Sequence, residues 1–90
     1  MSPLEREILL LLSQQADPVR MDYVAIYTLL NTVSGGHYQE RYSEADINSA
    51  LFRLASIHAI RESQIIGSTG IWEPQTVFTI TDSGRSSLLR

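Results

Sequence analysis

YSEADINSALFRLASIHAI, Tyr42 to Ile60, reads as one capped helix that ends in a turn and feeds a β-hairpin. Ser43 is the expected N-cap, and Asp46 three residues on completes a capping-box-like pattern, with Asp as a weaker stand-in for Glu. Ile47, Ala50, Leu51, Leu54 and then Ile57 or His58 recur at helical spacing and make one apolar face. The opposite face carries Glu44, Asn48, Ser49, Arg53 and Ser56, with Phe52 among them. A helix so divided has one side for a core and one side for solvent or for a partner.

The residues after it continue the pattern. Arg61 to Ile66 reads as a strand, Gly67-Ser68-Thr69-Gly70 as a hairpin tip, and Thr76 to Ile80 as the return strand. Val77 and Thr79 alternate with Phe78 and Ile80, the period of a half-buried strand. Pro74 cannot donate to a ladder, so the hairpin near Ile71, Trp72 and Pro74 is irregular or at an edge. Thr81 is placed to cap a last short helix whose Leu88 and Leu89 return to the first helix.

Two blocks within this region resemble a known family. LFRLASIHAI, Leu51 to Ile60, is similar to the L-x-R-L-x-x-x-G-L-I that ends the recognition helix of PadR-like and MarR-like winged-helix regulators. FTITDSGRSSLL, Phe78 to Leu89, resembles the Y-x-L-T-x-x-G-R-x-x-L with which their second wing strand enters the next helix. The resemblance implies an α+β fold, a small winged helix-turn-helix domain over residues 1–90. Its order is helix, strand, helix, helix, strand, strand, helix. The recognition helix would span about 43–57 and the wing about 61–80. The chain departs from the pattern twice. The Gly after the helix is His58 here, one of the residues that tolerates positive φ. The wing has no Arg or Lys between Glu62 and Thr81, where the family carries cations.

Ahead of these blocks, Ser2-Pro3 opens a first helix, with Pro at its first position and Glu5 and Glu7 in the first turn. Leu4, Ile8, Leu11 and Leu12 form a stripe that Leu9 and Leu10 widen, so this helix is expected to bury more than one side or to lend part of itself to a dimer seam. Gln14 to Pro18 breaks it, and Val19-Arg20 is the candidate for the short first strand. Asp22 caps a second helix, expected over Tyr23 to Val33, with Tyr23, Ile26, Tyr27 and Leu30 inward. Ser34-Gly35-Gly36 ends it, and HYQERY, His37 to Tyr42, fills a turn longer than that of a simple helix-turn-helix.

Composition bounds the function. Ninety residues make one small domain with a marginal core, and a dimer would relieve that. There is no Cys, which removes disulfides and cysteine metal sites. No apolar run approaches the roughly 18 residues of a membrane span, and acidic Glu5 and Glu7 stand where a signal peptide has its basic region. The expectation is a soluble cytoplasmic protein. His37 and His58 stand apart with no metal-ligand spacing, no Ser lies in a nucleophile elbow, and the Gly pairs match no phosphate loop, so neither an enzyme nor a cofactor is expected.

The net charge is −3 with a pI near 5.2, which argues against broad nucleic-acid affinity. All seven basic residues are Arg, whose fork suits guanine or phosphate in a few well-placed contacts. The leading expectation is therefore sequence-specific binding of double-stranded DNA by a homodimeric transcriptional regulator. Asn48, Ser49 and Arg53 would meet base edges or phosphates. Arg41 and Ser43 would fix the backbone. Gln64, Ser68 and Thr69 would seat the wing through neutral hydrogen bonds. For Arg41 a solvent-facing pair with Glu40 or Glu44 is the competing reading. Residues 42–60 hold Glu44 and Asp46 against Arg53, a formal charge of −1, and Glu44 sits poorly beside phosphates. That acidity, the uncharged wing and Phe52 support a second expectation: a protein-interaction winged helix, an adaptor or antagonist of another regulator that does not bind DNA. Trp72 serves either as a further anchor for such a partner or as packing under the wing base.

Overall fold

A computed structural model describes residues 1–15, 21–33, 35–65 and 75–89. Helix α1 spans Pro3–Ser13 and α2 spans Tyr23–Leu30. Strands β1, Thr32–Val33, and β2, His37–Tyr38, form a small antiparallel hairpin. Helix α3, Glu44–Ser56, is followed by strands β3, Ile60–Ile65, and β4, Gln75–Ile80, and by α4, Asp82–Leu88. The architecture is α+β, with four helices and two two-stranded antiparallel sheets among the described residues.

Each helix starts on a side-chain cap readable in the sequence. Ser2 Oγ accepts from Glu5 N at 3.2 Å, with Pro3 at the first helical position. Asp22 Oδ1 accepts from Ala25 N at 2.8 Å, Ser43 Oγ from Asp46 N at 3.2 Å, and Thr81 Oγ1 from Gly84 N at 3.1 Å. Each cap satisfies an amide that the first helical turn leaves unpaired.

The core gathers Ile8, Leu9 and Leu12 of α1, Ile26 and Leu30 of α2, and Ile47, Ala50, Leu51 and Leu54 of α3. Met21, Ala59, Ile60 and Phe78 complete it. The apolar stripe of α3 thus packs as its spacing dictates, but Ile57 does not join it. Ile57 lies past the last helical residue and is exposed. The helix ends there in a Schellman turn: His58 N donates to Ala55 O at 3.1 Å and Ala59 N to Leu54 O at 2.9 Å. His58 takes the left-handed conformation, φ 61°, that Gly usually supplies at this point.

Strands β3 and β4 pair in register from Ile60 opposite Ile80 to Ile65 opposite Gln75. The expected alternation along β4 fails at its centre, where the neighbours Val77 and Phe78 are both buried. The segment before α2 lies alongside: Asp22 bridges Val77, and Phe78 N donates to Met21 O at 2.9 Å. The Asp22 carboxylate also accepts from Gln75 Nε2, tying the start of α2 to β4.

Other expectations need correction or fall elsewhere. The second helix stops at Leu30 rather than Val33, and Thr32–Val33 is a strand. Residues 37–42 are not only a turn, since His37 and Tyr38 form the partner strand. Gly35 and Gly36, both at positive φ, serve this hairpin rather than a helix end. Leu88 packs against the core, whereas Leu89 is exposed. The strand expected at Val19-Arg20, the hairpin tip 67–70 with Ser68 and Thr69, and Ile71, Trp72 and Pro74 lie outside the described residues.

The small residue in the Thr81-Asp82-Ser83-Gly84 run has a steric reason. Gly84 is buried where the first turn of α4 meets the turn that follows α3, and a Cβ there would come within 2.2 Å of Ala59 O and 2.8 Å of Ile80 Cγ1. Thr81 N donates to Ala59 O at 3.1 Å and Thr81 Oγ1 to His58 O at 2.6 Å, so the same turn receives α4 from two sides.

Candidate functional site

Burial of Ile47, Ala50, Leu51 and Leu54 fixes the opposite side of α3 outward. Glu44, Asn48, Ser49, Phe52, Arg53 and Ser56 are all exposed on it. The structure therefore brings Asn48, Ser49 and Arg53 onto one helical surface. Phe52 lies among them, 73% exposed. Gln64 is exposed on β3. Ser43 stands at the helix entrance, its oxygen already accepting from Asp46 N, so its hydroxyl proton and one lone pair remain to offer a partner.

The two cationic residues predicted to meet DNA here are both engaged by α1. Arg53 Nη1 lies 3.6 Å from Glu5 Oε1. Arg41 Nη2 donates to Glu7 Oε1 at 3.1 Å, and its guanidinium stacks 5.2 Å above the Tyr42 ring. Arg41 thus pairs with neither Glu40 nor Glu44 but with a carboxylate 34 residues away. The Tyr42 hydroxyl donates to Glu7 Oε2 at 2.6 Å. That bond, then burial, pushes the Tyr42 phenol above its ordinary value.

Beneath this cluster sits Asn31, fully buried at 0% exposure. Its Oδ1 accepts from Arg41 N at 2.6 Å and Tyr42 N at 2.9 Å. Its Nδ2 donates to Tyr27 O at 3.0 Å and Tyr42 O at 3.2 Å. Both faces of the amide are used, so the end of α2 is clasped to the entrance of α3. Tyr38 donates to the Tyr27 hydroxyl at 2.9 Å across the outside of this junction.

Sequence reasoning missed three of these residues. Glu5 completes the stripe Glu5, Ile8, Leu9, Leu12 at spacings of three, four and seven, so its position on the inner face of α1 was legible although its type argued otherwise. Glu7 and Asn31 carry no local signal, because their partners lie far along the chain.

Two grooves are small: one of about 210 Å³ is lined by Glu7, Leu10, Leu11, Leu29 and Arg41 among others, and another of about 230 Å³ by Leu12, Met21, Phe78 and Arg85 among others. A larger, open one of about 540 Å³ lies between the start of α1 and α4, against Met1, Pro3, Arg6 and Ser87. Among the described residues no group of three or more His, Cys, Asp or Glu gathers as a metal site would. No described helix is long and apolar enough to cross a membrane. No family model matches the chain, and no curated protein matches it.

Proposed function

We propose that this chain is a winged helix-turn-helix domain of the PadR-like or MarR-like kind, acting in the cytoplasm as a homodimeric DNA-binding transcriptional regulator. The observation that carries this reading is the outward face of α3. A rigidly capped helix presents Asn48, Ser49 and Arg53 together, directly before a two-stranded hairpin. On this reading α3 enters the major groove, β3 and β4 form the wing, and Asn48 and Arg53 address adenine and guanine edges. The ion pairs of Arg41 and Arg53 with α1 offset part of the positive charge beside α3, so on this reading general phosphate attraction is weak and hydrogen bonding supplies the selectivity.

The test is selection of duplexes from a random library by the wild-type protein, followed by titration across salt. An enriched sequence bound far more tightly than its scrambled counterpart supports the reading. Failure to enrich any sequence, with no binding even at low salt, refutes it.

One observation favours a second reading, a protein-interaction module that does not contact DNA. Phe52 is 73% exposed on a face that begins with Glu44 and Asp46. An exposed aromatic ring is the kind of anchor protein interfaces use. On that reading Phe52→Ala abolishes a protein complex while no DNA sequence is enriched.

A further inference from the structure

Glu5 occupies a core position. It lies on α1 in line with Ile8, Leu9 and Leu12, and it is only 6% exposed. A carboxylate taken out of water requires a partner, and Arg53 supplies it from α3. The pairing is one-sided. Nη1 of Arg53 approaches Oε1 of Glu5 at 3.6 Å, while the Arg53 side chain stays 66% exposed. A guanidinium carries five donors in a fixed planar fork, so an attachment at Nη1 leaves other donors for an acceptor outside.

We propose that Glu5 is a positioning residue that makes Arg53 a reader of guanine; the inference rests on the DNA-binding reading above. Drawn toward Glu5 at Nη1, the guanidinium has fewer orientations open to it and offers its exposed donors to the O6 and N7 acceptors of a guanine. The carboxylate also offsets the guanidinium charge. Arg53 then adds to discrimination between bases and little to indiscriminate attraction by phosphates. Arg41 is neutralised in the same way by Glu7, so the chain's acidic balance accompanies selectivity rather than opposing it.

The experiment compares wild type, Glu5→Gln, Arg53→Ala and the double variant on a duplex selected by the wild-type protein and on its scrambled counterpart, across salt. Glu5→Gln should weaken the selected duplex about tenfold, within the discrimination carried by one bidentate pair. It should tighten the scrambled duplex, and its salt dependence should steepen by about 0.9 in log–log slope, the equivalent of one further phosphate. In the Arg53→Ala background the same change should alter neither affinity. Parallel shifts on both duplexes, or no shift, would show that Glu5 serves only the fold and would overturn the proposal.

A second measurement stands even if Glu5→Gln fails to fold. Replacing the contacted guanine by 7-deazaguanine removes the N7 acceptor. Wild type should lose affinity, and Arg53→Ala should lose nothing further. Equal losses by both proteins would overturn the proposal while leaving DNA binding intact. If wild type enriches no duplex at all, the underlying reading fails, and the proposal fails with it.

Discussion

Replacing Asn31 by Ala should destabilise the protein by about 3 kcal/mol. The substitution removes all four hydrogen bonds of the buried amide. The losses are not equal. Tyr27 O keeps a second donor, Asn31 N at 3.2 Å, so its carbonyl stays satisfied. The cost concentrates on the amides of Arg41 and Tyr42, which lose the acceptor they share. An amide left unpaired in a partly buried place costs about 1–3 kcal/mol, and each bond made contributes about 1 kcal/mol net. Two such amides give the figure stated. A domain of this size has on the order of 5–13 kcal/mol in total, so the loss is a large fraction. It corresponds to a fall in Tm of roughly 12–24 °C.

Urea denaturation followed by far-ultraviolet circular dichroism measures it. The midpoint should fall with the slope unchanged, because the surface exposed on unfolding is nearly the same. A loss below about 1 kcal/mol for Asn31→Ala would refute the reasoning, since the two amides would then have found other partners at little cost.

Three further outcomes are expected. Gly84→Ala should destabilise by about 2 kcal/mol despite the better helix propensity of Ala, because the new methyl meets a backbone oxygen at 2.2 Å; a raised Tm would show that α4 shifts freely. His58→Gly should stabilise by about 0.5–1 kcal/mol in the same denaturation assay by relieving the left-handed backbone, partly offset by the greater freedom of the unfolded chain; a loss would mean that the His58 side chain contributes more than its backbone costs. The third outcome concerns alkaline pH. The folded state raises the Tyr42 phenol through its bond to Glu7, so it prefers the protonated form. That contribution is fully present below the ordinary phenol value of about 10 and is lost as pH rises through the folded value. Unfolding free energy should therefore decline in the alkaline range, and Tyr42→Phe should make the decline shallower; an identical decline in the variant would show that Tyr42 is not coupled to folding.

What the sequence revealed and what it hid divide by distance along the chain. Asp22, Ser43 and Thr81 each act on an amide three residues on, and each was legible as a cap, while Pro3 marked the start that Ser2 caps. The inner face of α3 was legible because four apolar residues at helical spacing need only one surface to cover them. The early end of α2 was hidden, because the Asn31 side chain holds the backbone of Arg41 and Tyr42 and nothing within α2 announces this. Thr32 and Val33 favour a strand by propensity, but a pair so short forms one only because His37 and Tyr38 return beside it. At the candidate site, the outward residues of α3 followed from its period. Their electrostatic state did not, because Glu5 and Glu7 approach from a helix more than thirty residues earlier.

The Asn31 clasp also makes the β1–β2 hairpin an appendage. The chain leaves the body of the protein at Asn31 and is recaptured there, since Gln39 N donates to Asn31 O at 2.7 Å and the amides of Arg41 and Tyr42 reach the side chain. The recapture point does not depend on how far the chain has travelled in between. Gly35 and Gly36 sit exposed at the turn of that excursion. Added residues between them lengthen a loop that is already closed, and the entropy of closure grows only slowly with length. A tag or reporter peptide spliced between Gly35 and Gly36 would therefore leave the entrance of α3 where it stands, giving the protein a natural port for grafted sequence.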